Sequence, residues 1–330
     1  MANDPRTLDG LPLRGKRVLV RVDYNVPLEK DGTVADDRRI AASLPTVRRI
    51  LEAPAAAILC SHLGRPKAKP EAKYSLAPVA RRLAELLGRP VSFVPDCVGP
   101  AAEAAAAAAK PGDCLLLENL RFHPGEEKND PAFAASLARL ADLYVDDAFG
   151  AAHRAHASVS GVPALLPSGA GYLLAREVEV LQGLLREPKR PFVVITGGAK
   201  VSDKVPVLRN LLPLADALLV GGGMAYTFLR ARGVAVGKSL VEETAVQAAR
   251  EILREADVED VEVVLPVDHV CAERLEAGIA SRVAAGSVPA DLAGLDIGPA
   301  TVEEFAGILG KAGTVLWNGP LGAFETPPFD

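Results

Sequence analysis

Two lysines four residues apart, Lys200 and Lys204, follow a glycine pair in "VVITGGAKVSDK", residues 193 to 204. An apolar run that breaks at glycines lets backbone N–H groups approach an anion closely, and a helix beginning there turns its positive end to the same place. The types and spacing suit phosphate. They are not those of a Walker A loop, because the G-x-x-x-x-G-K-[ST] spacing is absent. A plain strand-to-helix turn with two solvated lysines uses the same residues, so other parts of the chain must separate the two readings. "GVAVGKS", residues 233 to 239, is one residue short of a P-loop and follows a helix-like segment instead of a strand.

A second set of charged residues recurs at the ends of apolar runs in the first half. "RVDYNVP", "SHLGRP", "ENLRFHPGEE" and "DDAFGAAHRAHAS" each carry an arginine, and Arg39 follows in "DDRRI". Arg21, Arg39, His62, Arg65, Arg121, His153, Arg154 and His156 would then converge on one mouth, since ligands of parallel α/β sheets bind beyond the carboxyl ends of the strands. Singly, such residues are ordinary surface groups. Their repeated placement at strand ends implies a small polyanion, because guanidinium forks match carboxylate and phosphate oxygens.

The elements that must position these groups are legible as short apolar runs separated by helix-length segments. "RVLVRV", "AAAILC", "VSFV", "CLLLENL" and "LYVDDAF" fill the first half, and "FVVIT", "ALLVGGG", "VEVVLPV" and "TVLWNG" the second. Continuous rather than alternating apolar strands predict parallel sheets covered on both faces, an α/β architecture twice over. Residues 171–190 have helical spacing and predict a helix between a first domain, 1–170, and a second, 191–330. The alanine tract at 101–110 predicts a surface helix, and 66–75 a polar loop.

The chain has 330 residues, 49% of them hydrophobic, enough for a sizeable core and for two domains. A net charge of −5 argues against a general nucleic-acid or anionic-membrane binder, so any anion site is local. The polar start "MANDPRTLDG" predicts no secretory leader, and no run is long enough to span a bilayer. The four cysteines form no C-x-x-C, which predicts buried, reduced thiols in a cytoplasmic protein.

With "GGAKVSDK", "GGGMAYTFL", "LPVDHV", "GLDIGP" and "WNGPLGAFE" added to the motifs above, ten segments in order resemble the phosphoglycerate kinase family. The resemblance implies two α/β domains facing a cleft, a monomer, and phosphoryl transfer between 1,3-bisphosphoglycerate and ADP with Mg²⁺, giving 3-phosphoglycerate and ATP. It implies that Asp23, Tyr24, Asn25, Arg39, His62, Leu63, Gly64, Arg65, Arg121 and Arg154 bind 3-phosphoglycerate. Arg21 matches the arginine against the transferred group, and Lys200 the lysine that follows it. Lys204 matches a nucleotide-phosphate lysine, and Gly222, Gly223, Gly294, Leu295, Asn318 and Glu325 match the adenine and ribose pocket. Such transfer needs no general base, because its leaving group is a carboxylate; positioning and charge neutralisation suffice.

The family pattern continues past "GAFETPPFD" with a further helix and strand, a "GGGD" turn carrying the Mg²⁺-associated aspartate, and an "STGGGA" segment. The sequence therefore predicts a C-terminally incomplete copy whose second domain lacks its last strand and helices, with little or no turnover. Two alternatives stand beside this reading. A catalytically dead anion- and nucleotide-binding module would bind without turnover. A nicotinamide dehydrogenase would want G-x-G-x-x-G, and "GGGMAY" lacks the third glycine.

Overall fold

The structure, a computed structural model, describes residues 7–329. The chain divides into two compact units, Met1–Leu181 and Gln182–Asp330, and the division falls inside the helix Tyr172–Arg186. That helix occupies the segment whose spacing predicts one.

In the first unit, strands β1 (Arg17–Val22), β2 (Ala56–Cys60), β3 (Ser92–Val94), β4 (Cys114–Leu117), β5 (Leu143–Asp147) and β6 (Ser168–Ala170) form one sheet. All pairings are parallel, in the order β3-β4-β2-β1-β5-β6. The apolar runs are continuous because each strand feeds two cores. Val18, Val20 and Val22 pack on one face with Ile40, Val47 and Ile50 of the helix Arg38–Glu52, and with Val79 and Leu83 of Ala77–Leu87. Leu19, Ile58 and Leu117 pack on the other face with Ala102 of the helix Gly99–Ala108 and with Phe133 and Leu137 of Pro131–Ala138. Each large side chain buried this way contributes about 1.5–3 kcal/mol. The alanine tract is the expected surface helix, with Ala102 and Ala106 as its buried stripe.

The second unit has two sheets. Strands β7 (Phe192–Thr196), β8 (Ala217–Val220) and β9 (Glu262–Val264) form a parallel sheet with β13 (Thr314–Asn318), in the order β13-β7-β8-β9. Strands β10 (Asp268–Ala272), β11 (Arg282–Ala285) and β12 (Ala293–Ile297) form an antiparallel sheet in the order β11-β10-β12. The parallel-only reading of the sequence misses this second sheet, because its strands are short and β11 is mostly exposed, so no apolar run marks them.

Both parallel sheets reverse their strand order once. In the first unit the chain builds outward from β1 to β2 and then returns to β5 on the other side; in the second, β13 returns beside β7. The carboxyl ends of β1 and β5, and of β7 and β13, are therefore the places where the topology opens a crevice for ligands. All four cysteines are free and buried, and burial pushes the Cys60 and Cys114 thiols up to about 12.

Candidate active site

At the end of β1, the sequence "RVDYN" is fixed by core packing of Val22 and Tyr24 and by hydrogen bonds to neighbouring segments. Tyr24 is fully buried; its N–H donates to Ser61 Oγ (2.9 Å), and its hydroxyl meets Ser43 Oγ (2.8 Å). Asn25 Oδ1 accepts from the Gly64 N–H (2.8 Å), which ties the β1 loop to "HLGR". Arg39, at the start of its helix, donates to Asp23 Oδ2 (2.6 Å) and stays half exposed. Asp23, Arg39, Asp147, Phe149, Gly150 and Glu177 line a cavity of about 350 Å³. A larger cavity, about 790 Å³, is lined by Asp36, Asp37, Arg82 and Glu85 among others and includes none of the residues selected from the sequence.

Three cations and one imidazole meet below this surface. Arg21 is 1% exposed, yet all of its named contacts are neutral: Ser158 Oγ (3.0 Å), the Val22 carbonyl and His62 Nδ1 (3.0 Å). Arginine only donates, so His62 Nδ1 is the acceptor and its proton sits on Nε2. Burial, reinforced by Arg21, Arg121 and Arg154, pushes the His62 pKa down to about 2. Arg121, 5% exposed, donates to the Gly64 carbonyl (2.8 Å). Its buried Nε lies 3.1 Å from Glu127 Oε1 but has no aligned hydrogen-bond partner. Two buried arginines and a half-buried third, with the exposed Glu127 as the carboxylate at ion-pair range among the described residues, gather excess positive charge that suits an anion.

Arg154 is half-buried and acts electrostatically on His62 and Arg121, while Arg65 and His153 are exposed. Leu63 contributes its carbonyl, which accepts from Asn119 Nδ2 (2.8 Å). Asn119 and Ser158, both fully buried, are missed by reading the sequence for charge, and Glu126, equally buried, by reading it for cations. The only signal is that they stand inside the quoted motifs.

At the end of β5, burial raises Asp146 and Asp147 to about 6. Asp147 Oδ1 accepts from the N–H groups of Leu173 (2.9 Å) and Leu174 (3.3 Å), which caps the helix Tyr172–Arg186.

The His62 shift gives a pH prediction. The unfolded chain takes up the imidazole proton as pH falls below about 6.5 and the folded chain does not, so this contribution to stability is full above 6.5 and declines below it. Urea unfolding at pH 7 and pH 5 should show wild type losing about 2 kcal/mol more than His62→Gln on acidification. Parallel pH dependence in the two proteins would refute the assignment.

In the second unit, Lys200 is exposed after the glycine pair, and Lys204 immediately precedes the helix Val205–Leu211. The helix starts later than the sequence suggests, because residues 201–204 first make a turn, with Ser202 donating to Glu242 from its N–H (3.0 Å) and hydroxyl (2.6 Å). Lys204 Nζ donates to Asn318 Oδ1, joining the β7 and β13 ends. A side chain at Gly222 would run into the backbone of Gly198 and Pro320, and one at Gly223 would meet Ala199 and Leu240. Gly294 lies against Tyr226, and the Leu295 carbonyl accepts from the Ala323 N–H (2.9 Å). Glu325 is exposed.

Parallel sheets whose order reverses beside gathered cations and glycine-lined turns define an α/β protein built to hold anionic small molecules at strand ends. The family model described as "Phosphoglycerate kinase" matches residues 8–330. A phosphoglycerate kinase of Moorella thermoacetica is 58% identical over 324 residues, which cover 98% of this chain and 82% of that one. The solved phosphoglycerate kinase of Coxiella burnetii is 40% identical with a TM-score of 0.83, covering 98% of this chain and 82% of the other. That of Pyrococcus horikoshii is 31% identical with a TM-score of 0.86, covering 98% and 83%.

The chain belongs to the phosphoglycerate kinase family. It is accordingly an enzyme, a kinase of glycolysis. The expectation of a truncated, inactive copy gains no support from matches that run over 98% of the chain. No helix among the described residues is long and apolar enough to cross a membrane.

Proposed function

We propose that the first unit binds 3-phosphoglycerate and 1,3-bisphosphoglycerate through Arg21, Asp23, Asn25, Arg39, the His62–Arg65 loop, Arg121 and Arg154. The second binds ADP and ATP through Lys204, Gly222, Gly223, Gly294, Leu295, Asn318 and Glu325. Lys200 accompanies the phosphoryl group in flight. The observation that carries this reading is the buried Arg21–His62–Arg121 group at the carboxyl ends of β1 and its neighbours, which gathers positive charge in an acidic protein with Glu127 as its carboxylate at ion-pair range among the described residues.

The step breaks the bond between phosphorus and the acyl oxygen and forms one to the terminal oxygen of ADP, so the departing group is a carboxylate that needs no proton. Arg21 and Lys200 neutralise charge as it spreads over the equatorial oxygens. Both units must bring their groups to one phosphoryl group, so the reading includes closure on bound substrates, which also keeps water from the acyl phosphate.

Mg²⁺ neutralises nucleotide phosphate charge when bound. The described residues do not offer it a fitting cage: the grouping of potential ligands is Asp96, Cys97 and His123 in the first unit, with a buried thiol and an imidazole where Mg²⁺ takes oxygen. The reading also includes a cytoplasmic monomer without membrane or nucleic-acid partners, in keeping with the net charge of −5.

Arg39→Ala and Arg121→Ala should each weaken 3-phosphoglycerate binding by about 1.5–3 kcal/mol, the worth of a hydrogen bond to a charged group. Calorimetric titration measures it, and unchanged affinity in both variants would remove these arginines from the site.

A further inference from the structure

We propose that Asp96, Cys97 and His123 form a Zn²⁺ site that ties the loop after β3 to the turn after β4. The phosphoryl-transfer reading uses none of these side chains. Asp96 and Cys97 stand between β3 and the helix Gly99–Ala108, and His123 stands between the turn Leu120–Phe122 and the helix Pro124–Glu127. A carboxylate oxygen, a thiol sulfur and an imidazole nitrogen from the three residues lie within 4.8 Å of one another, the one such grouping among the described residues.

The donors are held by separate contacts. Asp96 Oδ1 accepts from the N–H groups of Cys97 (2.7 Å) and Val98 (3.4 Å), which fixes the carboxylate on the loop that carries the thiol. The same oxygen meets His123 Nε2 at 2.7 Å, and the imidazole is stacked on the buried Phe133 ring with centroids 5.3 Å apart. Cys97 has no exposed surface, while Asp96 and His123 are partly exposed, so an ion arriving from solvent takes these two donors and closes on the sulfur behind them. Ligands at about 2.0–2.3 Å from Zn²⁺ in a tetrahedron lie roughly 3.3–3.7 Å from one another. The present spacings, 2.7 Å at one contact and 4.8 Å as the bound on the others, bracket that range, so small side-chain rotations complete three of the four positions.

The donor chemistry selects the metal. Thiolate, imidazole and carboxylate are ligand types of Zn²⁺, whereas Mg²⁺ takes oxygen. Charge closes as well, since one carboxylate and one thiolate match a divalent ion. Burial keeps Cys97 as the thiol until the ion arrives. On binding, the S–H bond breaks, its electron pair forms the bond to the metal, and the proton leaves to solvent. The imidazole stays neutral with its proton on the nitrogen turned away from the ion, and water takes the fourth position. A half-exposed Asp–His pair alone accounts for two of the three groups and predicts no thiolate–metal bond, which is what separates the two readings.

The test uses the full chain, stripped with a chelator that is then removed, and titrated with Co²⁺ or Zn²⁺ alone. Co²⁺ should give a thiolate-to-metal charge-transfer band in the near ultraviolet and the visible bands of a four-coordinate site, saturating at one ion per chain, and an equivalent of Zn²⁺ should erase both. Zn²⁺ should also raise the thermal midpoint, because an ion that binds the folded chain alone stabilises it. Cys97→Ser, close in volume at a buried position, should abolish the charge-transfer band. His123→Gln, at a partly exposed position where the fold is not at stake, should weaken Zn²⁺ binding by at least about a hundredfold, beyond the range expected for loss of an outer partner. Cys60→Ser, which removes another thiol of the same core, should bind as wild type does. Absence of the charge-transfer band in wild type, its persistence in Cys97→Ser, or wild-type Zn²⁺ affinity in His123→Gln would each overturn the proposal.

Discussion

Lys200→Ala should lower kcat by about two to three orders of magnitude, on the order of 3–4 kcal/mol of transition-state stabilisation, with KM for ADP changed less than threefold. Lys204→Ala should do the reverse, raising the nucleotide Kd with a smaller loss in kcat. The two side chains stand four residues apart but are held differently. Lys204 is anchored to Asn318 Oδ1 across the β7 and β13 ends, so its charge sits at a fixed place and acts on bound phosphates throughout the cycle. Lys200 is exposed and contributes a minor, electrostatic share of the lowered Glu242 pKa, which hydrogen bonds from Ser202 mainly produce. A cation free to move can follow a group whose charge develops only in transfer, and such an interaction appears in kcat rather than in ground-state binding. Steady-state kinetics with calorimetric nucleotide binding measures the split. Identical kinetic signatures in the two variants would refute the division of labour.

What the sequence showed of this arrangement followed physical periodicity, and what it hid was polar. Strands such as "RVLVRV" and "FVVIT" are legible because they are buried on both faces, so their residues are mostly apolar, with Arg21 and Thr196 as buried exceptions at the strand ends. The segments "RVAA" and "AGLDI" carry no such signature, since β11 is mostly exposed, β12 is only partly buried over its last three residues, and their pairing is antiparallel. Arg21 and Arg121 stood out by charge and strand-end placement, although charge alone suggests exposed groups and both are buried. Asn119 illustrates the complementary failure. A loop asparagine reads as surface, yet its amide donates to the Leu63 and Tyr74 carbonyls and its oxygen accepts from the Arg121 N–H, which fixes two site loops and the arginine at once. Such a residue is recognisable only when its partners, more than forty positions away in two cases, are brought beside it. The residue-level roles came from the family resemblance, and periodicity alone would have stopped at a polyanion site.

Gly222→Ala should destabilise the second unit by about 4 kcal/mol or more, whereas Gly223→Ala, one residue on, should stay within about 1 kcal/mol of wild type. The contrast follows from what each Cβ would meet. Gly222 has φ +64°, and a Cβ there would fall 2.7 Å from the Gly198 nitrogen and from the Pro320 carbonyl oxygen. Those two atoms are hydrogen-bonded to each other at 2.9 Å, and the Gly222 N–H itself donates to the Leu321 carbonyl (2.6 Å). The loops after β7, β8 and β13 are thus laced together by backbone alone, and neither neighbour can swing away as a side chain would. Left-handed strain of roughly 1–3 kcal/mol adds to buried backbone hydrogen bonds worth about 1–3 kcal/mol each when left unmade. Gly223 has no positive φ; its Cβ would meet the Leu240 Cδ2 at 3.1 Å and the Ala199 Cα at 3.3 Å, and Leu240 is 57% exposed and free to turn. Gly→Ala inside the helix Gly222–Ala231 also regains up to about 1 kcal/mol of helix propensity. The protein's one tryptophan, Trp317, reports on this region, since it lies in β13 and its indole donates to the Gly319 carbonyl (2.8 Å). Urea unfolding followed by Trp317 fluorescence should therefore separate the two variants. Equal midpoints would show that these loops can part without loss of the fold, and with it that the glycines are not what holds Lys204, Asn318 and the turn after β7 in one place.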